Sequence, residues 1–246
     1  VDIVDGKAVK KISGLGVGNY NVTVKYGGDN NYNGVTNIVG FKVSKINPEM
    51  NVSIENIVFG QELSIVINVP SDATGSVVVT VDGKKYTLKI VNGKATKSIH
   101  GLTAGSHSIV ARYAGDSKYD STDVNKTVNV AKADAILEVS IGDVGCDEVF
   151  VIESNLTGVN DTKLNGDVII NVNGKNYTVK VTGGRGTFVA DKLAAGSYDF
   201  TASWAGDGNY NAANYSGSFK VNKLNSIINI VVGDIKVGEE LIVTVN

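Results

Sequence analysis

The sequence predicts an all-β chain built from small antiparallel sandwiches used in tandem. Three observations carry this. Apolar and polar residues alternate through nearly every segment, hairpin dipeptides punctuate the alternation, and one long pattern returns three times.

The repeat comes first, because it sets the number of domains. "YGGDNNY" (Tyr26–Tyr32) reappears as "YAGDSKY" (Tyr113–Tyr119) and as "WAGDGNY" (Trp204–Tyr210). Each is the tip of a longer match, in which Gly6–Gly34, Gly93–Ser121 and Gly184–Ala212 align without a gap. The first aromatics stand 87 and then 91 residues apart. A period near 90 residues exceeds that of a solenoid unit, so each repeat owns a core and folds as a domain. Residues 46–132 and 133–223 are then two complete copies. Residues 1–45 are the C-terminal part of another copy and residues 224–246 the N-terminal part of a further one. The chain reads as an excerpt.

The partial copy at 1–45 shows the alternation plainly. Tyr20, Val22, Val24 and Tyr26 fall on one face, with Asn21, Thr23 and Lys25 on the other. In the copy at 46–132 strands are expected near 50–57, 62–69, 76–82, 85–91, 94–100, 106–113 and 123–131. Asp82-Gly83 and Asn92-Gly93 supply hairpin turns, as Asn173-Gly174 does in the next copy, because these residues tolerate the positive φ of two-residue turns. The copy at 133–223 repeats the scheme, with Tyr198, Phe200, Ala202 and Trp204 sharing a face. Seven short strands in under 90 residues is the rhythm of an immunoglobulin-like sandwich. Short connectors such as "SKINPE" and "AKADAI" imply an elongated, semi-rigid array.

Leu-x-x-Gly-x-Tyr at Leu15–Tyr20 and Leu193–Tyr198 marks Tyr20 and Tyr198 as candidates for a tyrosine corner, in which the hydroxyl bonds nearby backbone. His107 stands in that place in the middle copy and offers a ring N–H. The signature residues Tyr26, Gly28, Asp29 and Tyr32, Tyr113, Gly115, Asp116 and Tyr119, and Trp204, Gly206, Asp207 and Tyr210 fall where the penultimate strand turns into the last. There the Asp is placed to accept backbone N–H groups two or three residues on, the Gly supplies freedom, and the aromatics cap the sandwich end. Two sharper readings compete with this structural one. Asp29, Asp116 and Asp207 are calcium candidates, although calcium wants six to eight oxygens and no second fixed carboxylate stands beside them. Tyr32, Tyr119, Tyr210 and Trp204 form a sugar-stacking surface if they face solvent.

Other repeated polar residues are Lys45, Lys132 and Lys223 at the ends of last strands, and Glu62, Glu148 and Glu240 at the starts of second strands. Surface ion pairing is their ordinary fate, and a buried Lys–Asn isopeptide crosslink with a carboxylate is the alternative. The single Cys146, aligned with Gly60 and Gly238, forms no intrachain disulfide and has no partnered histidine for catalysis. No catalytic set and no cofactor motif appears, so the chain reads as non-catalytic and cofactor-free. A formal charge of −2 gives no case for nucleic acid as a partner, and no apolar run reaches the roughly 20 residues needed to cross a bilayer.

The pattern from Gly18 to Lys45, matched more loosely from Gly196 to Lys223, resembles the bacterial Ig-like domain repeats of group 3. Its Asn-rich, Cys-poor and Pro-poor version is similar to the adhesin-like surface proteins of methanogenic archaea such as Methanobrevibacter. The resemblance implies an extracellular stalk or adhesin held at the cell surface. Its partners would be neighbouring repeats and a surface glycan or another cell's surface protein. The alternative is a carbohydrate- or wall-polymer-binding module accessory to an enzyme elsewhere in the parent chain. Seven Asn-x-Ser/Thr triplets are compatible with display outside the cell.

Overall fold

The computed structural model describes all 246 residues, which divide into two compact parts, Val1–Ala131 and Lys132–Asn246. The first part opens with an antiparallel hairpin of β1 (Gly18–Tyr26) and β2 (Val35–Val43), in which Tyr20 stacks on Phe41 at 5.6 Å between ring centroids.

A complete sandwich follows. One sheet holds β3 (Asn51–Ser53), β5 (Leu63–Asn68) and β8 (Lys94–Ile99), in the order β3-β5-β8. The other holds β4 (Ile57–Val58), β10 (Thr122–Ala131), β9 (Gly105–Tyr113), β6 (Ser76–Val81) and β7 (Lys84–Lys89), in that order. Alternation decides what lies between the sheets. Leu63, Ile65 and Ile67 of β5 face Val77, Val79, Ile109, Ala111 and Tyr113, all fully buried. Each large apolar side chain so removed from water stabilises the sandwich by roughly 1.5–3 kcal/mol before entropy is counted.

The expected strand at 50–57 is two strands. β3 pairs antiparallel with β5, while β4 pairs in parallel with β10 in the opposite sheet. The crossing at Ile54–Asn56 leaves the Asn129 N–H on β10 without a strand partner, and Asn56 Oδ1 accepts it at 2.8 Å. The Asn56 side chain thus supplies the acceptor that the sheet switch takes away from this N–H.

The second part repeats the plan. β11 (Ile136–Ile141), β13 (Phe150–Thr157) and β16 (Arg185–Ala190) form one sheet, in the order β11-β13-β16. β12 (Val144–Gly145), β18 (Ala213–Asn222), β17 (Gly196–Trp204), β14 (Gly166–Val172) and β15 (Lys175–Val181) form the other. Asp143 Oδ1 accepts the Lys220 N–H at 2.7 Å, the same device at the same sheet switch. The core is more aromatic: Phe150, Phe200 and Phe219 stand where the first sandwich has Leu63, Ile109 and Val128, and the Phe150 and Phe219 rings lie 5.2 Å apart. The four extra residues of this copy fall between β13 and β14, where the chain makes a 3₁₀ turn at Val159–Asp161. A last hairpin pairs β19 (Ile230–Val232) with β20 (Val243–Val245).

Candidate functional site

The repeated signature forms the loop between the last two strands of each copy. In the first complete sandwich Gly115 has φ +82°, and a Cβ there would fall 2.7 Å from the Tyr119 carbonyl oxygen, so only glycine fits. The next residue closes the loop. Asp116 Oδ1 accepts the N–H groups of Lys118 and Tyr119 at 2.8 Å each, and the Asp116 N–H donates to the Tyr119 carbonyl at 3.0 Å. Asp29 makes the same bonds with Asn31 and Tyr32, and Asp207 with Asn209 and Tyr210. All three copies therefore build one Asx turn from glycine and aspartate.

The turn holds the start of its own domain. Ile46 donates its N–H to the Lys118 carbonyl and accepts from the Asp120 N–H, each at 3.0 Å. Ala133 does the same with Asn209 at 3.0 Å and Asn211 at 2.8 Å. Asn211 adds a side-chain bond to Asp134, and Lys132 Nζ donates to the Asp207 carbonyl. The signature is thus a clasp that joins the first residue of a domain to the loop before its last strand.

In the first sandwich the clasp also reaches the loop between β5 and β6. Asp116 Oδ2 accepts from Thr74 N at 2.9 Å and Thr74 Oγ1 at 3.1 Å. The Thr74 N–H, followed by those of Tyr119 and Lys118, holds the Asp116 carboxyl well below the usual carboxylate range. In the hairpin at residues 18–43 the Tyr26 hydroxyl donates to Asp29 instead, at 2.5 Å. The equivalent Tyr113 hydroxyl is buried, and no acceptor completes a hydrogen bond to it. Burial, with the Asp116 carboxylate nearby, pushes the Tyr113 phenol up to about 12. Tyr119 donates to Asp72 Oδ1 at 2.7 Å, and Lys118 pairs with the same carboxylate.

Placing the signature aromatics removes the sugar-stacking surface expected from them. Tyr119 is 6% exposed, Tyr210 4% and Trp204 3%; only Tyr32, in the partial copy, stands out at 70%. Glycines explain the depth of two of these rings. A Cβ at Gly158 would meet the Tyr210 ring at 2.4 Å, and one at Gly166 would meet Trp204 Nε1 at 2.5 Å. The calcium candidates are not gathered either. The Oδ1 atoms of Asp29, Asp116 and Asp207 are spent on backbone N–H groups, and no three His, Cys, Asp or Glu side chains cluster anywhere. Lys45, Lys132 and Lys223 are all exposed, so no buried lysine of the kind an isopeptide crosslink requires exists at these positions.

Tyr20 and Tyr198 donate their hydroxyls to the carbonyls of Gly16 (3.0 Å) and Ala194 (2.9 Å), four residues upstream. His107 Nε2 makes the corresponding bond to the Thr103 carbonyl at 2.8 Å. Its other nitrogen, Nδ1, lies 2.5 Å from Asp82 Oδ2. Asp82 was visible in the sequence only as half of a hairpin dipeptide, and nothing there linked it to His107.

The register around Cys146 also needs correction. Gly145 N–H is accepted by Glu148, as Val58 N–H is by Gln61 and Lys236 N–H by Glu239. Cys146 donates to the Asn222 carbonyl as Phe59 does to Ala131. Glu148 therefore corresponds to Gln61 and Glu239, rather than to Glu62 and Glu240, and Cys146 to Phe59, rather than to Gly60. Cys146 stands two residues before Glu148, as Gly60 and Gly238 stand two before Glu62 and Glu240, and that likeness misaligned one short stretch by a residue.

Residues 50–131 match the family described as bacterial Ig-like domain (group 3). No curated protein matches the chain. Among solved structures, titin domains A168–A170 are similar at 15% identity, covering 76% of this chain and 70% of that one, with a TM-score of 0.46. A two-domain fibronectin type-III segment of chicken tenascin is similar at 16% identity, covering 72% and 100%, with a TM-score of 0.40. The fibronectin(III)-like modules of Clostridium thermocellum CbhA follow at 13% identity, 71% and 95% coverage and a TM-score of 0.31. The fold rests on the sheets themselves rather than on these scores. No helix is long and apolar enough to cross a membrane. The chain is a tandem of Ig-like β-sandwich domains, one of which, residues 50–131, matches the group 3 bacterial Ig-like family.

Proposed function

We propose that the chain is a non-catalytic spacer segment of a cell-surface protein, displaying or attaching whatever the parent molecule carries. The observation behind this reading is the clasp. β10 ends at Ala131, and Ala133 is already bonded to the loop at Asn209–Asn211, so Lys132 alone separates two fixed backbones. A connector that short leaves little free chain between consecutive domains, which suits a spacer. Extracellular, surface-anchored placement and a role in adhesion belong to the same proposal, supported by the group 3 Ig-like match. Small-angle scattering of the 246-residue chain tests it. A compact globule of this length has a radius of gyration of about 18 Å. A spacer gives a value well above that, and a value near it overturns the reading.

A further inference from the structure

The positive charge of this chain is concentrated. Between Asp82 and Asp116 there is no carboxylate at all, yet Lys84, Lys85, Lys89, Lys94, Lys97 and Arg112 all fall there, in a chain of net charge −2. Five of the six sit on β7 and β8. Each of these strands is the outermost of its sheet, and the Asn92-Gly93 turn brings them to the same edge of one sandwich. Lys84, Lys85, Lys89 and Lys94 are exposed and Lys97 half-exposed.

None of the five has an acidic partner; the ion pairs of the chain use Lys118, Lys163, Lys175, Arg112, His100 and His107. Lys84 and Lys97 instead both lie over the Tyr86 ring, 5.5 and 5.1 Å from its centroid. That contact holds two like charges on one ring without neutralising either. Beside them Lys89 and Lys94 line a shallow groove of about 520 Å³ together with Thr87 and Thr96.

Charge on an edge strand is a common guard against unwanted sheet pairing. The corresponding edge of the other sandwich, β15 and β16, shows how little that guard requires. It carries only Lys175, Lys180 and Arg185, and Lys175 is paired with Asp191. The surplus on β7 and β8 calls for another explanation.

We propose that the β7–β8 edge binds an acidic polysaccharide, a linear glycan bearing carboxylate or sulfate groups at intervals. The charges are strung along the strands rather than converged on a point: Lys85 and Lys89 share a face roughly 13 Å apart at the rise of an extended strand. That spacing suits a polymer and not a small anion. A single-stranded nucleic acid would seek an open aromatic face, and Tyr86 is capped by two ammonium groups. Single exposed contacts are weak and screened by salt, so binding comes from several lysines engaging one chain. This inference stands apart from the spacer reading, since a compact particle could carry the same edge.

The test uses the 246-residue chain against polygalacturonate and heparin, with dextran and duplex DNA as comparators, at about 50 mM and about 300 mM salt. The acidic glycans are expected to bind at low salt and to weaken at least about tenfold at high salt, with dextran inert. The relative affinity of polygalacturonate and heparin identifies the preferred anion. Lys85, Lys89 and Lys94 have no side-chain partner, so K85Q/K89Q/K94Q should melt as the parent does and lose about tenfold or more in affinity. K175Q/K180Q/R185Q, on the other sandwich, should stay within about twofold of the parent. No glycan binding, equal losses in both triple variants, or DNA binding as tight as the glycans would overturn the proposal.

Discussion

His107 bridges Asp82 and Thr103, with Nδ1 2.5 Å from the Asp82 carboxylate and Nε2 2.8 Å from the Thr103 carbonyl. Both nitrogens face acceptors, which favours the doubly protonated ring. Asp82 first, then the Thr103 carbonyl, raises the His107 pKa above the ordinary histidine value, although burial opposes this. In turn His107, then the Ser108 N–H, lowers that of Asp82.

The sign of the pH dependence follows. The raised His107 contributes stability that is full below about pH 6.5 and is lost as pH climbs through its folded pKa. The lowered Asp82 contributes above about pH 3.9 and is lost as pH falls through its own. The first sandwich should therefore be most stable between these limits and weaken on the alkaline side. Denaturation of the whole chain at about pH 6 and about pH 9 measures it. The second sandwich contains neither histidine and holds the only tryptophan, Trp204, so its fluorescence transition is the built-in reference. His107→Tyr should keep the Thr103 bond, as Tyr20 and Tyr198 keep theirs, and abolish the alkaline loss. An unchanged pH profile in that variant would show that the pair is not its source.

Asp116 accepts four hydrogen bonds and Asp207 two on their side chains. Asp116→Ala should accordingly destabilise the first sandwich by about 2–4 kcal/mol, and Asp207→Ala the second by about 1–2 kcal/mol. Circular dichroism follows the first transition and Trp204 fluorescence the second. Equal losses would mean that Thr74 adds nothing to the clasp.

Ser154 points from β13 into the core with its hydroxyl buried and unpaired. An unsatisfied hydroxyl opposes folding, so Ser154→Ala should leave the Trp204 transition unchanged or move it up by as much as about 1 kcal/mol. A loss larger than about 1 kcal/mol would reveal a partner for that oxygen.

Local chemistry is what the sequence made readable. Alternation placed β5, β6, β9 and β10 to within a residue or two. Asp82-Gly83, Asn92-Gly93 and Asn173-Gly174 all adopt positive φ at both positions, as their side chains allow. The Asx turn and the tyrosine corner were equally legible, because each closes within four residues. What escaped depends on distance along the chain. Asn56 reaches Asn129, and Thr74 reaches Asp116 across 42 residues. No periodicity announces a strand that changes sheets, or tells a capping tyrosine facing solvent from one sunk against Gly158. The register slip at Cys146 is of the same kind, since only pairing with β18 separates two nearly equal alignments.

The clasp has a bearing on how such a chain can grow. Ile46 and the Lys118–Asp120 loop that secures it lie within one repeat, as do Ala133 and the Asn209–Asn211 loop. A gene break between codons 131 and 132 hands every copy its own latch and receptacle together. Repeats can then be duplicated, deleted or shuffled at that seam, each arriving able to close itself with no help from its neighbours.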